Sequence, residues 1–278
     1  MSEQRIVLVI FPAQGQINPA LQFAKRVISM GARVTLPIPL HLHRRIASKT
    51  SIPGLSLAPF SDGYDEGFNP VDADDSALTL HATQLQQRAS DFISHLILSS
   101  AKEGNPFTCF LHTLLIPWAP QLARRFNFPS AMLWIQPATV LNILYHYFHG
   151  YADHINDKSK SKTSAILLPG FSFSLSPRDI PSSLLQREPA LSSFLFTLFK
   201  EQIHQLDLDP NPIVLVNTFE ALEEEALSGV DKLNMIPIGP FIPSAFLDGK
   251  DPRDTSFGAD IFPVSSDCVE WLDSKQEN

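Results

Sequence analysis

The sequence predicts an α/β protein built on a single Rossmann-like, doubly wound parallel sheet with helices on both faces. Three observations carry that expectation. Short runs of β-branched and aliphatic residues recur along the chain. They are near-continuous rather than alternating, as strands buried on both faces require. Segments with apolar residues at helical spacing separate them, and turns rich in Pro and Gly mark the joints. With 278 residues, 44% of them hydrophobic, the chain can fill the core of one large domain.

The elements follow in order. Arg5 to Phe11 (RIVLVIF) is apolar and ends in a Pro/Gly turn, so it reads as a buried strand. Pro19 to Met30 carries Leu21, Ala24, Val27 and Ile28 on one helical face, and Gly31 stops it. Arg33 to Ile38 is the second strand, which completes a βαβ unit with a right-handed crossover. Residues 55–60 form a short strand, and Ser76 to Ala101 a long amphipathic helix. Strands at 107–113 and 130–136 are each followed by a helix, Pro117 to Phe126 and Ala138 to Tyr151. A strand at 213–219, an acidic helix around Leu222 to Leu227 and a last strand at 235–240 finish the pattern.

Two stretches depart from it. Asp153 to Thr163 is polar and rich in Lys and Ser, and reads as a surface loop. Residues 169–208 hold no clear strand, but Leu191, Phe194, Leu195 and Leu198 lie at helical spacing, as in an inserted helical subdomain. The expected division is therefore a Rossmann-like unit over 1–240 and a tail over 241–278. That tail carries turn residues at Gly249, Pro252 and Gly258 and a short helix from Ser266 to Ser274.

Charge and composition exclude several classes. The chain has 29 acidic and 21 basic side chains, a net charge of -8, and no Lys/Arg block, so nucleic acid is not an expected partner. Cys109 and Cys268 lie far apart without metal-ligand spacing, which argues against a disulfide scaffold or a structural zinc. The first apolar run is short and breaks at Pro12, unlike a signal peptide. No segment has the roughly 20 apolar residues of a membrane span. A cytoplasmic protein is the expectation.

Ligands of open α/β sheets sit beyond the carboxyl ends of the strands. The candidate loops are therefore 12–18, 61–68, 112–117 and 136–139. The first carries neither a G-x-G-x-x-G nor a P-loop lysine, so dinucleotide and nucleotide-triphosphate readings are weak.

Five segments point elsewhere. FPAQGQINPALQFAKR (11–26) resembles the opening motif of plant family 1 UDP-glycosyltransferases, two-domain (GT-B) enzymes that glycosylate small molecules. PGLSLAPFSDGYDEGF (53–68), FPSAMLWIQPATV (128–140), VLVNTFEALEEEAL (214–227) and IGPFIPSAFLDGKDPRDTSFG (238–258) are similar to the anthocyanin 5-O-glucosyltransferase-like branch. The resemblance covers essentially the whole chain and implies the N-terminal, acceptor-binding domain of that fold.

Three departures from the family qualify what it implies. The family's general base, a histidine, falls on Gln16, and a neutral amide cannot take a proton near neutrality. The aspartate that orients that histidine in many members falls on Thr113, although this branch often lacks it. The donor box of the second domain has no counterpart here. The expectation is thus half a transferase without its base, needing no cofactor; a UDP-sugar enters only if a donor domain is supplied.

Three functions are open on this reading. The chain is a pocket protein for a hydrophobic plant metabolite, repurposed for a rearrangement or cyclisation by orientation. Or it is a non-catalytic partner of a full-length relative, or an inactive fragment of a glucosyltransferase. Self-association through an exposed cleft, as a homodimer, is a further expectation.

The candidate site residues are Gln16 and Thr113, with His81, His112 and Asp62 as the titrating groups near the cleft. Gly15, Pro117, Trp118, Gln136, Thr139, Leu184 and Phe194 are the candidate ligand contacts, and the segment from Pro181 to Phe194 the lid. No metal is expected. His146, His149 and Asp153 share a helix face, but an aromatic helix end explains them. Asp72-Ala73-Asp74 and Glu223 to Glu225 read as solvated acidic segments, Trp134 as core, and His41 and His43 as surface-loop residues.

Overall fold

A computed structural model describes residues 3–47, 52–161, 164–185, 190–243, 246 and 267–275. Seven strands form one sheet: β1 Arg5–Val9, β2 Arg33–Pro39, β3 Leu55–Phe60, β4 Cys109–Thr113, β5 Ser130–Trp134, β6 Ile213–Val216 and β7 Asn234–Pro237. Their order is β3-β2-β1-β4-β5-β6-β7, and every neighbouring pair is parallel. The chain winds outward from β1 to β3, then crosses back to lay β4 on the other side of β1. That reversal opens a crevice beyond the carboxyl ends of β1 and β4.

The alternation of side chains assigns the two faces. Ile6, Leu8 and Ile10 point to one face and pack with α1 (Gln14–Ser29) and α2 (Leu40–Ile46). Val7 and Val9 point to the other and pack with α3 (Asp75–Lys102) and α4 (Ala119–Arg125). A third cluster joins Met132, Trp134, Val214 and Val216 to α5 (Ala138–His146), α8 (Ala190–Asp207) and α9 (Glu220–Ser228). Trp134 is fully buried there, its indole N–H donating to the Pro137 carbonyl at 2.9 Å.

Several elements differ from the sequence expectation for identifiable reasons. Helix α1 begins at Gln14, not Pro19, because the N–H groups of Gln16 and Ile17 both bond to the Ala13 carbonyl. Pro19 therefore lies inside the helix and leaves the Gly15 carbonyl without its i+4 donor. Residues 40–46, expected as loop, form α2, held by buried Leu42 and Ile46. The polar stretch after Tyr151 is helical over α6 (Ala152–Lys158), with Ile155 fully buried; residues 162 and 163 lie outside the described ones. Short α7 (Ser182–Leu185) precedes α8, and the only pairing from 164 to 185 is an isolated antiparallel bridge between Ile166 and Leu175. The turn residues Gly249, Pro252 and Gly258 lie outside the described residues, and the final helix, α10, spans Asp267–Asp273.

Glu223 is not a solvated helix start. Its carboxylate is half-buried and accepts the N–H groups of Ala138 and Thr139 and the Thr139 hydroxyl, which caps α5 from across the sheet edge. Burial works against its ionised form, but these bonds together hold its pKa below the ordinary value.

Candidate functional site

A cavity of about 370 Å³ opens at the crevice between β1 and β4. Phe11 to Ala13, Gly15 and Gln16 form one wall, from the end of β1 and the first turn of α1. Leu115, Ile116 and Trp118 form another, from the loop between β4 and α4. Leu78, His81, Ala82, Leu85 and Gln86 come from α3, and Leu191, Phe194, Leu195 and Leu198 from α8. His41 of α2, with Phe68 and Pro70, completes the lining. Helix α8 thus presents to the cavity the apolar residues Leu191, Phe194, Leu195 and Leu198; of the segment expected as a lid, residues 186–189 lie outside the described ones.

One residue of the lining is held in an unusual conformation. Leu115 has φ 69°, in the left-handed region that a branched side chain rarely adopts. Such strain gathers at ligand sites, where surrounding packing over-determines it.

Two neighbouring residues of β4 face opposite ways. Thr113 is fully buried, and its hydroxyl accepts the Phe11 N–H at 3.0 Å, so it pins the end of β1 where the cavity begins. His112 projects to the other face, beside Gln202, Gln205 and Met132, outside the cavity lining. Its Nδ1 lies 3.1 Å from the Thr113 carbonyl, and burial drives its pKa down to about 4.

Gln16 lines the cavity and is buried, and its Oε1 has no hydrogen-bond partner among the described residues. Asp62 sits just behind the lining. The turn after β3 requires positive φ at Gly63, and through it Asp62 Oδ1 accepts the Tyr64 N–H at 2.9 Å. Its other oxygen, Oδ2, is buried without a hydrogen bond among the described residues. That oxygen lies 3.8 Å from His41 Nδ1 and 4.0 Å from His81 Nε2. Phe68 stacks on the His81 ring at 4.0 Å and Tyr64 meets it edge-on at 4.8 Å. Burial lowers the pKa of both histidines, while Asp62 pulls each the other way.

The structure therefore brings Gly15, Gln16, His81, Trp118 and Phe194 to one cavity, with Asp62 behind it. It does not bring Thr113, Gln136, Thr139, Leu184 or Pro117 into the lining. Leu184 is packed in the core cluster of α5 and α8, and Thr139 is taken up by Glu223. His41 is the titratable cavity residue that sequence reasoning placed on a surface loop instead. Leu42 and Ile46, four apart and apolar, were the signal for the helix that carries it. Among the described residues no group of three or more His, Cys, Asp or Glu is arranged to hold a metal, and Asp74 instead caps α3 by accepting the Ala77 N–H at 2.8 Å.

No protein-family model matches the chain. Individual proteins do. Phloretin 4'-O-glucosyltransferase of Malus domestica is 49% identical over 100% of this chain and 58% of its own length. Anthocyanidin 3-O-glucoside 5-O-glucosyltransferase of Verbena hybrida is 42% identical over 98% of this chain and 58% of its own. By sequence, the chain is homologous to the N-terminal part of plant UDP-glycosyltransferases. It spans somewhat under two thirds of these curated relatives. The crystal structure of Os79 from O. sativa in complex with UDP agrees with that placement. It matches with a TM-score of 0.68 and 28% identity, over 98% of this chain and 59% of that one. The parallel sheet described above is thus the N-terminal half of a GT-B glycosyltransferase fold. No helix among the described residues is long and apolar enough to cross a membrane.

Proposed function

We propose that this chain is an acceptor-binding glycosyltransferase domain whose cavity takes an apolar aromatic small molecule, and that its position 16 no longer supplies a base. The observation that carries the reading is the cavity itself. Its volume of about 370 Å³ falls in the range of small-molecule sites, and its lining is mostly aliphatic and aromatic with few polar groups. The relatives named for phloretin and for an anthocyanidin glucoside suggest a flavonoid-like occupant. Gln16 offers that occupant an amide oxygen and an NH2 to orient it, but no proton equilibrium near neutrality. Sugar transfer by any longer protein that contains this sequence would draw its nucleotide-sugar contacts from the part of the family's length that lies outside this chain.

Trp118 in the lining makes the reading testable, because an aromatic ligand against it quenches its fluorescence. Titration with phloretin is expected to give saturable, one-to-one quenching that Trp118→Phe abolishes. Absence of saturable quenching in the unaltered chain, with calorimetry equally silent, would count against the pocket.

A second reading is pairing through an apolar face, with a copy of this chain or with a longer relative. Phe219, Leu222, Ile242 and Phe246, around the ends of β6 and β7, are apolar side chains open to solvent. Light scattering that gives a monomer mass at all attainable concentrations would remove the self-pairing form of it.

A further inference from the structure

We propose that His81, oriented by Asp62 and clamped between Phe68 and Tyr64, is the group of this cavity that accepts a proton from a bound hydroxyl. The inference rests on the cavity being a ligand site, as proposed above, and adds the residue that does its acid–base work. Three features of the geometry point to it.

The first is a buried carboxylate oxygen without a donor. Asp62 is fully buried, its Oδ1 is satisfied by the Tyr64 N–H, and its Oδ2 has no hydrogen bond among the described residues. An orphaned buried oxygen of this kind costs free energy unless something compensates it. The groups facing it are two imidazoles, His81 Nε2 at 4.0 Å and His41 Nδ1 at 3.8 Å. Such separations exceed a hydrogen bond, and catalytic contacts of this type are commonly long before a ligand binds.

The second is the orientation of the ring. With Nε2 turned to Asp62, a proton on that nitrogen leaves Nδ1 as the acceptor. Phe68 stacks on the ring at an interplanar angle of 10° and Tyr64 packs against it at 79°, so the imidazole has little freedom to turn. A nucleophile's base oriented by a third group is the arrangement that activates weak hydroxyls elsewhere.

The third is the contrast with the other basic candidates. Position 16 holds an amide. His112 lies outside the cavity lining, beside Gln202 and Gln205. His41 faces the same carboxylate, and its pKa is lowered chiefly by burial, with Asp62 opposing, Arg45 adding to the lowering and Asp65 opposing again; what sets His81 apart is the Phe68 stack and the Tyr64 edge that fix its ring. Burial lowers the pKa of His81 most, Asp62 opposes that and His41 adds to it, which favours the neutral ring that can accept a proton. In the step itself the ligand O–H bond breaks, an N–H bond forms at His81 Nδ1, and the electron pair stays on oxygen. The resulting imidazolium is balanced by Asp62, which is a positioning residue.

The test uses 4-methylumbelliferone, whose phenol and phenolate absorb at different wavelengths, with its methyl ether as a ligand that has no proton to give. The unaltered chain is expected to lower the pH at which the bound phenol ionises, by about tenfold in ionisation constant. His81→Gln and Asp62→Asn should each abolish that shift and leave binding of the methyl ether within about threefold, while His95→Gln, on an exposed turn of α3, should change neither. Binding of both ligands with a free-like ionisation profile overturns the inference and leaves the cavity reading intact. Failure of both ligands to bind the unaltered chain overturns the cavity reading and the inference with it. A shift that survives His81→Gln and disappears in His41→Gln assigns the proton to the other imidazole and overturns the proposal. Should His81→Gln not fold, Asp62→Asn together with the ring-proton resonance of His81 in the unaltered chain, followed through the titration, decides the same question.

Discussion

The hydroxyl of Thr113 accepts the N–H of Phe11 from a fully buried position, so the mouth of the cavity depends on one side-chain oxygen. Replacing it by the isosteric Val leaves that N–H without its partner. Thr113→Val is expected to lower stability by about 1–3 kcal/mol in urea unfolding; a change below about 0.5 kcal/mol would mean the bond contributes little there. Its neighbour His112 carries a different signature. The folded-state pKa is about 4 against 6.5 for a free imidazole, so between those values the unfolded chain binds the extra proton. Stability then rises with pH across that window and is lost as pH falls through it, by up to about 3 kcal/mol. His112→Gln should flatten that slope, and an unchanged slope would assign it to other groups. Both residues were singled out in the sequence as site candidates, but adjacent residues on a strand point to opposite faces, so one β4 pair could not serve one cavity. In the structure neither lines it: Thr113 is taken up by the Phe11 N–H and His112 lies beside Gln202 and Gln205, a placement not legible without the register that sets Val9 against His112.

At the scale of elements, the strands were the most legible feature, because runs such as RIVLV and IVLV have no polar face to hide. Helix beginnings were less so. Pro19 looked like a start and is an interior residue, because Ala13, whose side chain makes no capping bond, opens α1 through its backbone carbonyl. Long-range partners were not legible at all: nothing in the local sequence ties Glu223 to the first turn of α5, some 84 residues away. Helix α8 divides its labour between cavity and core, with Phe194 and Leu198 toward the ligand space and Phe199, Ile203 and Leu206 in the core cluster. Leu184 on α7 belongs wholly to that core. Leu184→Ala is expected to cost about 2–5 kcal/mol of stability without changing ligand selectivity, whereas Phe194→Ala should weaken an aromatic ligand by about tenfold with a smaller loss of stability. The opposite pattern, a stable Leu184→Ala that loses ligand, would move the cavity wall to α7.

The molecule as a whole places its polar groups where a parallel sheet reverses its strand order, and almost everything else at that place is apolar. The homology to plant UDP-glycosyltransferases accounts for the sheet and its order, and the chain spans 58% of the length of the Malus domestica relative. What the homology leaves open is decided by the cavity, since function resides in a site and not in the fold that carries it. Ala82 on α3 lines the cavity, and an indole in its place would occupy ligand space. Calorimetric titration of phloretin into the unaltered chain and into Ala82→Trp is therefore the most direct measurement. The account predicts saturable binding with a negative heat-capacity change in the first, as apolar burial requires, and at least about a hundredfold weakening in a folded second protein. Equal binding by both proteins would place the ligand elsewhere and contradict the site.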